Sequence, residues 1–356
     1  MPINPETLQR LRENDPTLTS LSMRGSFIGD QEVMDLAKSL KTNTTLTSLD
    51  LYWDQIGTTE VKALAESLKT NTTLTILSLG LPENQFGDEG GVIALAKSLK
   101  TNTTLTTLCL GCSGNQIDAA GVLALVESLK TNATLTRLIL GWNGNQIGAA
   151  GVIAVAESLK TNATLTTLGF AWKGNKIGDT GAKALAESLK TNTTLTTLSL
   201  GWDGNQIGDA GAKALAESLK TNTTLTRLDL GGNSIGDEGV IAVAESLKAN
   251  TTLTELGLNL NEEQLGDGGK QAYKEIKADL KYNKKILEET DPLKKADLIV
   301  QKIKTYKPVS LKQLTAFWVR RELEKPEASQ KISVKEVNEK ITDETRELCV
   351  SPNQPS

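Results

Sequence analysis

The sequence predicts an α/β fold, a solenoid of parallel strands and packed helices followed by a small all-α module. The first observation behind this prediction is internal repetition. The phrase TLTxLxL occurs nine times, twice with Met23 or Phe170 in place of its last leucine, and its first leucine is Leu18, Leu46, Leu74, Leu105, Leu135, Leu165, Leu195, Leu225 and Leu253. These markers lie 28 to 31 residues apart, and a fixed period of this size is typical of units that bury their apolar sides by stacking on one another.

The strand of each unit follows from the second observation, the spacing of leucines within the phrase. In LTTLSL, residues 195 to 200, alternation places Leu198 and Leu200 on one face and Thr197 and Ser199 on the other. We therefore predict a strand of three to four residues, with its leucines turned inward.

The helix of each unit follows a glycine-containing loop. In AKALAESLK, apolar side chains recur at i, i+3, i+4 and i+7, which is the spacing of one buried helix face. The TNTT phrase after the helix predicts a turn whose Asn and Thr side chains bond to loose backbone groups.

These pieces together resemble the leucine-rich repeat of the ribonuclease-inhibitor-like subtype, shared with NOD-like receptors and Ran GTPase-activating proteins, over roughly residues 17 to 285. The resemblance implies a horseshoe with strands inside and helices outside. It also implies a ladder of Asn side chains that bond to neighbouring turns, here Asn84, Asn115, Asn145, Asn175, Asn205 and Asn233. Ser26, Asp54 and Glu263 take the place of Asn in the outer units, so we expect the ladder to weaken there.

Four regions are predicted along the chain. They are a lead-in at 1–16, the repeats with a capping helix at 17–288, a helical module at 289–348 and a flexible tail at 349–356. The charge changes near the end of the repeats: residues 1–265 hold 20 Lys plus Arg against 28 Asp plus Glu, net −8, while residues 266–356 hold 19 against 15, net +4.

The composition indicates a cytoplasmic protein, a monomer in isolation, without a membrane span or nucleic-acid footprint. MPINPETLQR lacks the apolar core of a signal peptide, and three cysteines do not suggest a disulfide scaffold. Eight N[TA]T triplets match the N-glycosylation acceptor. We interpret them as turns that recur with the repeat: Asn43, Asn71, Asn102, Asn132, Asn162, Asn192, Asn222 and Asn250.

The chain contains no histidine, which excludes the nucleophile systems, metalloprotease sites and general bases that depend on it. Cys109 and Cys112 form a CxxC, but two sulfurs do not complete a four-ligand zinc site. We expect no cofactor, no metal and no enzymatic activity.

A column of tryptophans lies two residues beyond the last strand leucine, in loops that the longer repeats enlarge. It comprises Trp53, Trp142, Trp172 and Trp202, with the variable neighbours Asn143, Lys173 and Asp203. Two interpretations compete for this column: indoles stacked to seal the rim of the core, or a ridge that binds a protein.

The strand residues predicted to face the concave surface are mostly small. The exceptions, Arg137, Arg227, Asp229 and Glu255, lie toward the later repeats and are candidate protein-binding residues. A surface this close to neutral disfavours the inhibition of cationic ribonucleases.

In the C-terminal module, SLKQLTAFWVRREL predicts an apolar helix capped by Ser310. It resembles the box that recruits Elongin B and C in suppressor-of-cytokine-signalling and von Hippel-Lindau-type ubiquitin ligase receptors. Ser310, Leu311 and Val319 match, Leu314 and Trp318 lie on the apolar face, and Thr315 stands where that family has Cys. An ordinary core helix is the alternative.

Three functions are consistent with the sequence: a protein-interaction receptor, an Elongin-cullin substrate adaptor, and a GTPase-activating protein by fold analogy. The near-identical repeats also resemble those of effectors that intracellular bacteria deliver into host cytoplasm. The sequence names no ligand.

Overall fold

The computed structural model describes residues 3–23, 28–52, 56–80, 90–111, 119–140, 147–170, 175–201 and 205–305. Strands and helices alternate, as predicted. The strands are β1 (Ser20–Ser22), β2 (Ser48–Tyr52), β3 (Ile76–Gly80), β4 (Thr107–Gly111), β5 (Arg137–Leu140), β6 (Thr167–Gly169), β7 (Thr197–Ser199), β8 (Arg227–Asp229) and β9 (Glu255–Gly257). The chain divides into two compact units, Met1–Leu280 and Lys281–Ser356.

The helices occupy the second half of each repeat. They are α1 (Pro5–Arg12), α2 (Asp30–Leu40), α3 (Thr58–Leu68), α4 (Gly91–Leu99), α5 (Ala119–Leu129), α6 (Gly148–Leu159), α7 (Gly178–Leu189), α8 (Asp209–Leu219), α9 (Asp237–Ala249), α10 (Asp267–Glu288) and α11 (Pro292–Thr305). From α1 to α9, each helix packs against the next along the chain.

The nine strands form one open parallel sheet in the order of the sequence, β1 to β9. Every pair keeps the same register, so that equivalent residues of successive repeats lie side by side: Leu168 pairs with Leu198, and Leu198 with Leu228. This arrangement confirms the α/β leucine-rich-repeat solenoid.

The core lies between the sheet and the helices. Leu198 and Leu200 are fully buried, whereas Thr197 and Ser199 are half-buried on the other face of the strand. Leu215 and Leu219 of α8 are buried opposite them. The predicted inward and outward directions are confirmed.

A ladder of buried asparagines in the TNTT turns joins each repeat to the one before. Each Nδ2 donates, at 2.8 Å, to a leucine carbonyl near the end of the helix one repeat earlier, as Asn192 after α7 does to Leu159 of α6. Each Oδ1 accepts from the backbone N–H of the leucine three residues on, at 2.7 to 2.8 Å. The ladder comprises Asn43, Asn71, Asn102, Asn132, Asn162, Asn192, Asn222 and Asn250.

The sequence predicted that these turns bond to loose backbone groups, and this is confirmed. What it did not predict is that the acceptor belongs to the neighbouring repeat. Because each Nδ2 is already bonded inside the solenoid, the triplets serve the fold rather than presenting a free amide at the surface.

The asparagine ladder that the family resemblance implied is present only in part. Asn233 donates to the carbonyls of Leu200 and Leu230, at 3.0 and 2.9 Å, and so bridges two repeats. Asn205 bonds within its own repeat, and the buried amide of Asn175 bonds to no described residue. Asn84, Asn115 and Asn145 lie outside the described residues.

The later helices are also joined at their N-termini by aspartates. Oδ1 of Asp179, in the first turn of α7, accepts from the N–H groups of Gly208 and Gly211 at 2.8 Å each. A Cβ on Gly211 would lie 2.8 Å from that oxygen, so glycine leaves room for it. In the preceding repeat Ala149 takes the place of the aspartate, and Gly178 instead donates to the Asn205 carbonyl with φ +62°.

Asp179→Ala should therefore lower the free energy of unfolding by about 1 to 2 kcal/mol, because two helix N-terminal donors lose a charged acceptor. Urea denaturation followed by circular dichroism would measure it. Asp179→Asn, which keeps an acceptor oxygen, should cost less, and Lys183→Ala on the exposed side of α7 should cost almost nothing. Equal midpoints for all three variants would contradict the role of the carboxylate.

In the second unit, the end of α10 and α11 form a small apolar cluster of their own, comprising Ile286, Leu298 and Ile299 with Tyr282 against it. The buried Lys302 ammonium donates to the Asn283 side-chain oxygen at 2.5 Å. Within the part of the chain that the structure describes, no helix combines the length and apolar character needed to cross a membrane.

Candidate functional site

The candidate site is the open face of the sheet, which we define as the side turned away from the helices. Constant register aligns its side chains in two rows. One row comprises Ser20, Ser48, Ile76, Thr107, Arg137, Thr167, Thr197, Arg227 and Glu255; the other comprises Ser22, Asp50, Ser78, Cys109, Ile139, Gly169, Ser199, Asp229 and Gly257. Within the strands, variation between repeats is concentrated in these rows, since the leucines beside them are nearly constant.

Three of the four predicted residues on this face lie together at its C-terminal end. Arg227 on β8 forms an ion pair with Glu255 on β9, and both side chains are more than half exposed. An exposed pair of this kind contributes little stability. Both groups therefore remain available to a partner.

Asp229 is the third member of this group and is half-buried. Its Oδ1 accepts from the backbone N–H of Gly231 at 3.0 Å. A Cβ added to Gly201 or to Gly257 would lie 2.5 Å from the same oxygen. Glycine in both neighbouring repeats thus provides the space in which this carboxylate lies.

Arg137 stands apart from the other three. It lies on β5, three strands from β8, which corresponds to about 14 Å at the usual strand spacing. Its neighbour is Cys109 on β4: burial raises the pKa of that thiol, and the nearby Arg137 guanidinium opposes the effect without overcoming it. The predicted set is therefore divided between two places on the sheet.

Sequence reasoning overlooked two apolar residues beside Arg137. Ile76 on β3 is 40% exposed, in the same row as Arg137. Ile139 is half-buried, and its side chain lies over Gly169, where a Cβ would come within 3.0 Å of its Cδ1. The signal was present in the sequence, because both are large apolar residues at outward strand positions, most of which hold polar or small residues.

The absence of histidine and the raised pKa of Cys109 together predict how stability depends on pH. Between about pH 6 and 8 the free energy of unfolding should stay nearly constant, because no side chain titrates there at its ordinary pKa. Above the ordinary cysteine pKa of about 8.5, stability should fall, since the unfolded thiol releases its proton while the folded one keeps it. Urea denaturation from pH 6 to 10 would measure both trends. Cys109→Ser should remove the Cys109 contribution to the alkaline loss, whereas a steep slope between pH 6 and 8 would reveal another titrating group.

The other predicted site residues lie outside the described residues. They are the loop residues Trp53, Trp142, Asn143, Trp172, Lys173, Trp202 and Asp203, and the C-terminal residues Ser310, Leu311, Leu314, Thr315, Trp318 and Val319. Both interpretations of the tryptophan column and both interpretations of the C-terminal helix stay predictions.

Comparison with protein families finds leucine-rich repeats in the chain. The Leucine Rich repeat model matches residues 131–156 and 161–186, and the TMOD/LMOD Leucine-rich domain matches residues 175–290. These segments extend from the turn after α5 to just beyond α10 and include strands β5 to β9. The chain thus carries leucine-rich-repeat domains, as the spacing of its leucines predicted.

A third family model, the Ubiquitin interaction motif, matches residues 61–71, 92–102 and 152–162. These segments are parts of α3, α4 and α6 with the turns that follow them. In α3 the matched Val61, Leu64 and Leu68 are buried in the core, and the equivalent residues of α4 and α6 are buried too. Most apolar side chains of the matched segments are therefore out of reach of a ubiquitin molecule in the folded repeats.

Among solved structures, the chain is similar to one titled Leiomodin-1 Actin-Binding Site 2. The two are 25% identical, the match covers 45% of this chain and 89% of that one, and the TM-score is 0.38. No curated protein sequence matches this chain.

Proposed function

We propose that this protein is a binding scaffold whose leucine-rich repeats present the open face of the sheet to a protein partner. The observation that carries the proposal is the difference between the two sets of polar side chains. The asparagine of each turn and the threonine before each strand recur, and they bond to the solenoid itself, as the Asn192 amide and the Thr196 hydroxyl do. Those that vary between repeats, such as Arg137 and Glu255, are exposed on the open face.

The threonines beside the rows support the same division. Thr196 Oγ1 donates to the Thr166 carbonyl at 3.1 Å, and the equivalent threonines of the other repeats repeat the bond. The hydroxyl groups of these threonines are therefore already hydrogen-bonded within the solenoid. Exposed arginine and isoleucine on the same face provide the charged and apolar contacts that protein interfaces use.

A displayed peptide library selected on the immobilised full chain would test the proposal. Binders should be lost when Thr197→Trp fills the centre of the open face. They should be kept by Lys213→Trp, which places the same side chain on the exposed side of α8. The proposal fails if the library yields no binder, or if the binders tolerate Thr197→Trp.

Finer functions rest on sequence resemblance alone. Recruitment of Elongin B and C by the helix containing Leu311 and Thr315 would be tested by retention of Elongin C on the full chain. Loss on Leu311→Asp and tighter binding on Thr315→Cys would support an adaptor. A bacterial effector in host cytoplasm and a GTPase-activating protein are further proposals, and stimulated GTP hydrolysis would test the latter.

A further inference from the structure

From β3 to β9, beyond Asp50 on β2, the open face divides into three stretches across the strands. We call the first the cationic-apolar patch, comprising Ile76, Cys109, Arg137 and Ile139 on β3 to β5. The second is the floor, comprising Thr167, Gly169, Thr197 and Ser199 on β6 and β7. The third is the ion-paired patch, comprising Arg227, Asp229 and Glu255 on β8 and β9.

The described part of this face carries two cations, Arg137 and Arg227. Arg227 is already paired with Glu255, whereas none of the described residues places a carboxylate within ion-pair distance of Arg137. Ile76 in the same row is substantially exposed. A carboxylate beside an apolar side chain would complement this patch, because the guanidinium binds carboxylates through a planar pair of donors.

The ion-paired patch would be complemented by a cation rather than by a carboxylate. Glu255 is paired with the guanidinium of Arg227, while Asp229, in the adjacent row, accepts from the Gly231 N–H. One negative charge is left over, which a lysine or arginine of the partner would neutralise. Between β3 and β9 the open face is therefore positive at β5 and negative at β8 and β9.

The floor between the two patches is shallow because its side chains are small. The Ile139 side chain lies over Gly169 at the edge of the floor, and beyond it the threonines and serine offer hydroxyl groups that donate and accept hydrogen bonds. A polypeptide backbone can approach such a surface closely. Three to four strand spacings separate Arg137 from Asp229 and Glu255, about 14 to 19 Å, which an extended chain spans in about four to six residues.

We propose that the open face binds an extended polypeptide segment that crosses the strands from β3 to β9. At one end the segment carries a carboxylate and a large apolar side chain on the same side of the extended chain, and it carries a lysine or arginine on that side about four to six residues away. This identification of the partner's chemistry rests on the proposed function as a protein-binding scaffold.

Two fluorescent peptides of equal composition would test the charge pattern by anisotropy titration of the full chain. One reads Leu-Ser-Glu, then three Ser or Thr residues, then Lys, so that Leu, Glu and Lys lie on the same side of an extended chain. The second exchanges Glu and Lys, so that leucine is nearest to the cation. The wild-type chain should bind the first at least about tenfold more tightly, since only that peptide places its carboxylate at the cationic-apolar patch. Equal affinities would overturn the proposal.

Charge-reversal variants locate the contacts. Arg137→Glu should weaken binding of the first peptide at least about tenfold, while Lys213→Glu, the same change on the exposed side of α8, should leave it unchanged. The double variant Arg137→Glu/Glu255→Lys should prefer the second peptide. Circular dichroism would establish that each variant is folded. The proposal is overturned if Arg137→Glu and Lys213→Glu behave alike, or if the double variant keeps the wild-type preference.

The two proposals fail in different ways. Library binders that Thr197→Trp abolishes, but that lack the paired charges, would sustain the scaffold and overturn the partner chemistry assigned to it. Binders that carry the carboxylate, apolar residue and cation at the stated spacing would support both.

Discussion

Leu198→Ala should lower the free energy of unfolding by about 2 to 5 kcal/mol, because it removes a fully buried side chain and leaves a cavity between sheet and helices. Leu198 has no exposed surface, and it lies between Leu168 and Leu228 in the sheet. Because the neighbouring repeats pack against this position from both sides, the core cannot close completely into the cavity. Urea denaturation followed by circular dichroism would measure the loss.

Thr197→Ala is the matched control, since the neighbouring residue lies on the open face and is half-buried. Its effect should stay within about 0.5 kcal/mol, as for surface substitutions generally. Losses of similar size for the two variants would contradict the direction assigned to the two side chains. A Leu198→Ala protein with the wild-type free energy of unfolding would show that the core can close around the missing atoms.

Asn192→Ala should cost about 3 to 5 kcal/mol, because each buried backbone group left without a partner costs about 1 to 3 kcal/mol. Its Nδ2 donates to the carbonyls of Leu159 and Asn162, at 2.8 and 3.3 Å. Its Oδ1 accepts from the N–H groups of Thr194 and Leu195, at 3.1 and 2.7 Å. The alanine variant loses all four bonds in a site that water does not reach.

Two further variants sharpen this test in the same denaturation assay. Thr193→Ala changes the adjacent exposed residue and should be nearly neutral. Asn192→Asp keeps an acceptor but turns an anionic oxygen toward the Leu159 carbonyl, so it should be unstable at pH 7 and gain stability as the pH falls and protonation restores a donor. An Asn192→Asp protein as stable as wild type at pH 7 would contradict the hydrogen bond to Leu159.

The sequence predicts the fold well because strand and helix leave different periodicities in it. Leucines at alternate positions placed Leu198 and Leu200 in the core, and the 3.6-residue spacing did the same for Leu215. These inferences depend on local geometry, which the chain itself determines. Regular repetition then placed equivalent strands side by side.

The candidate site was predicted less completely because it depends on distances between repeats. Arg137, Arg227, Asp229 and Glu255 were recognised one by one, but only sheet register shows that three of them meet and that Arg137 lies elsewhere. Asp179 is a similar case: its bond to the next helix joins residues 29 positions apart. No local pattern in the sequence indicates such a pair.

The ladder of asparagines in the TNTT turns allows a chain of this kind to gain or lose whole repeats. Each unit contains both the amide that reaches backward and the carbonyl that its successor reaches, as Asn192 and Leu189 do. A gene segment that encodes one whole unit can therefore be copied or lost without leaving an unmatched hydrogen bond at the junction. Loops can differ in length between units, because the contact depends on the turn and the helix end alone. Such genes can vary the number of exposed strand residues while the hydrogen bonds that join the units stay the same.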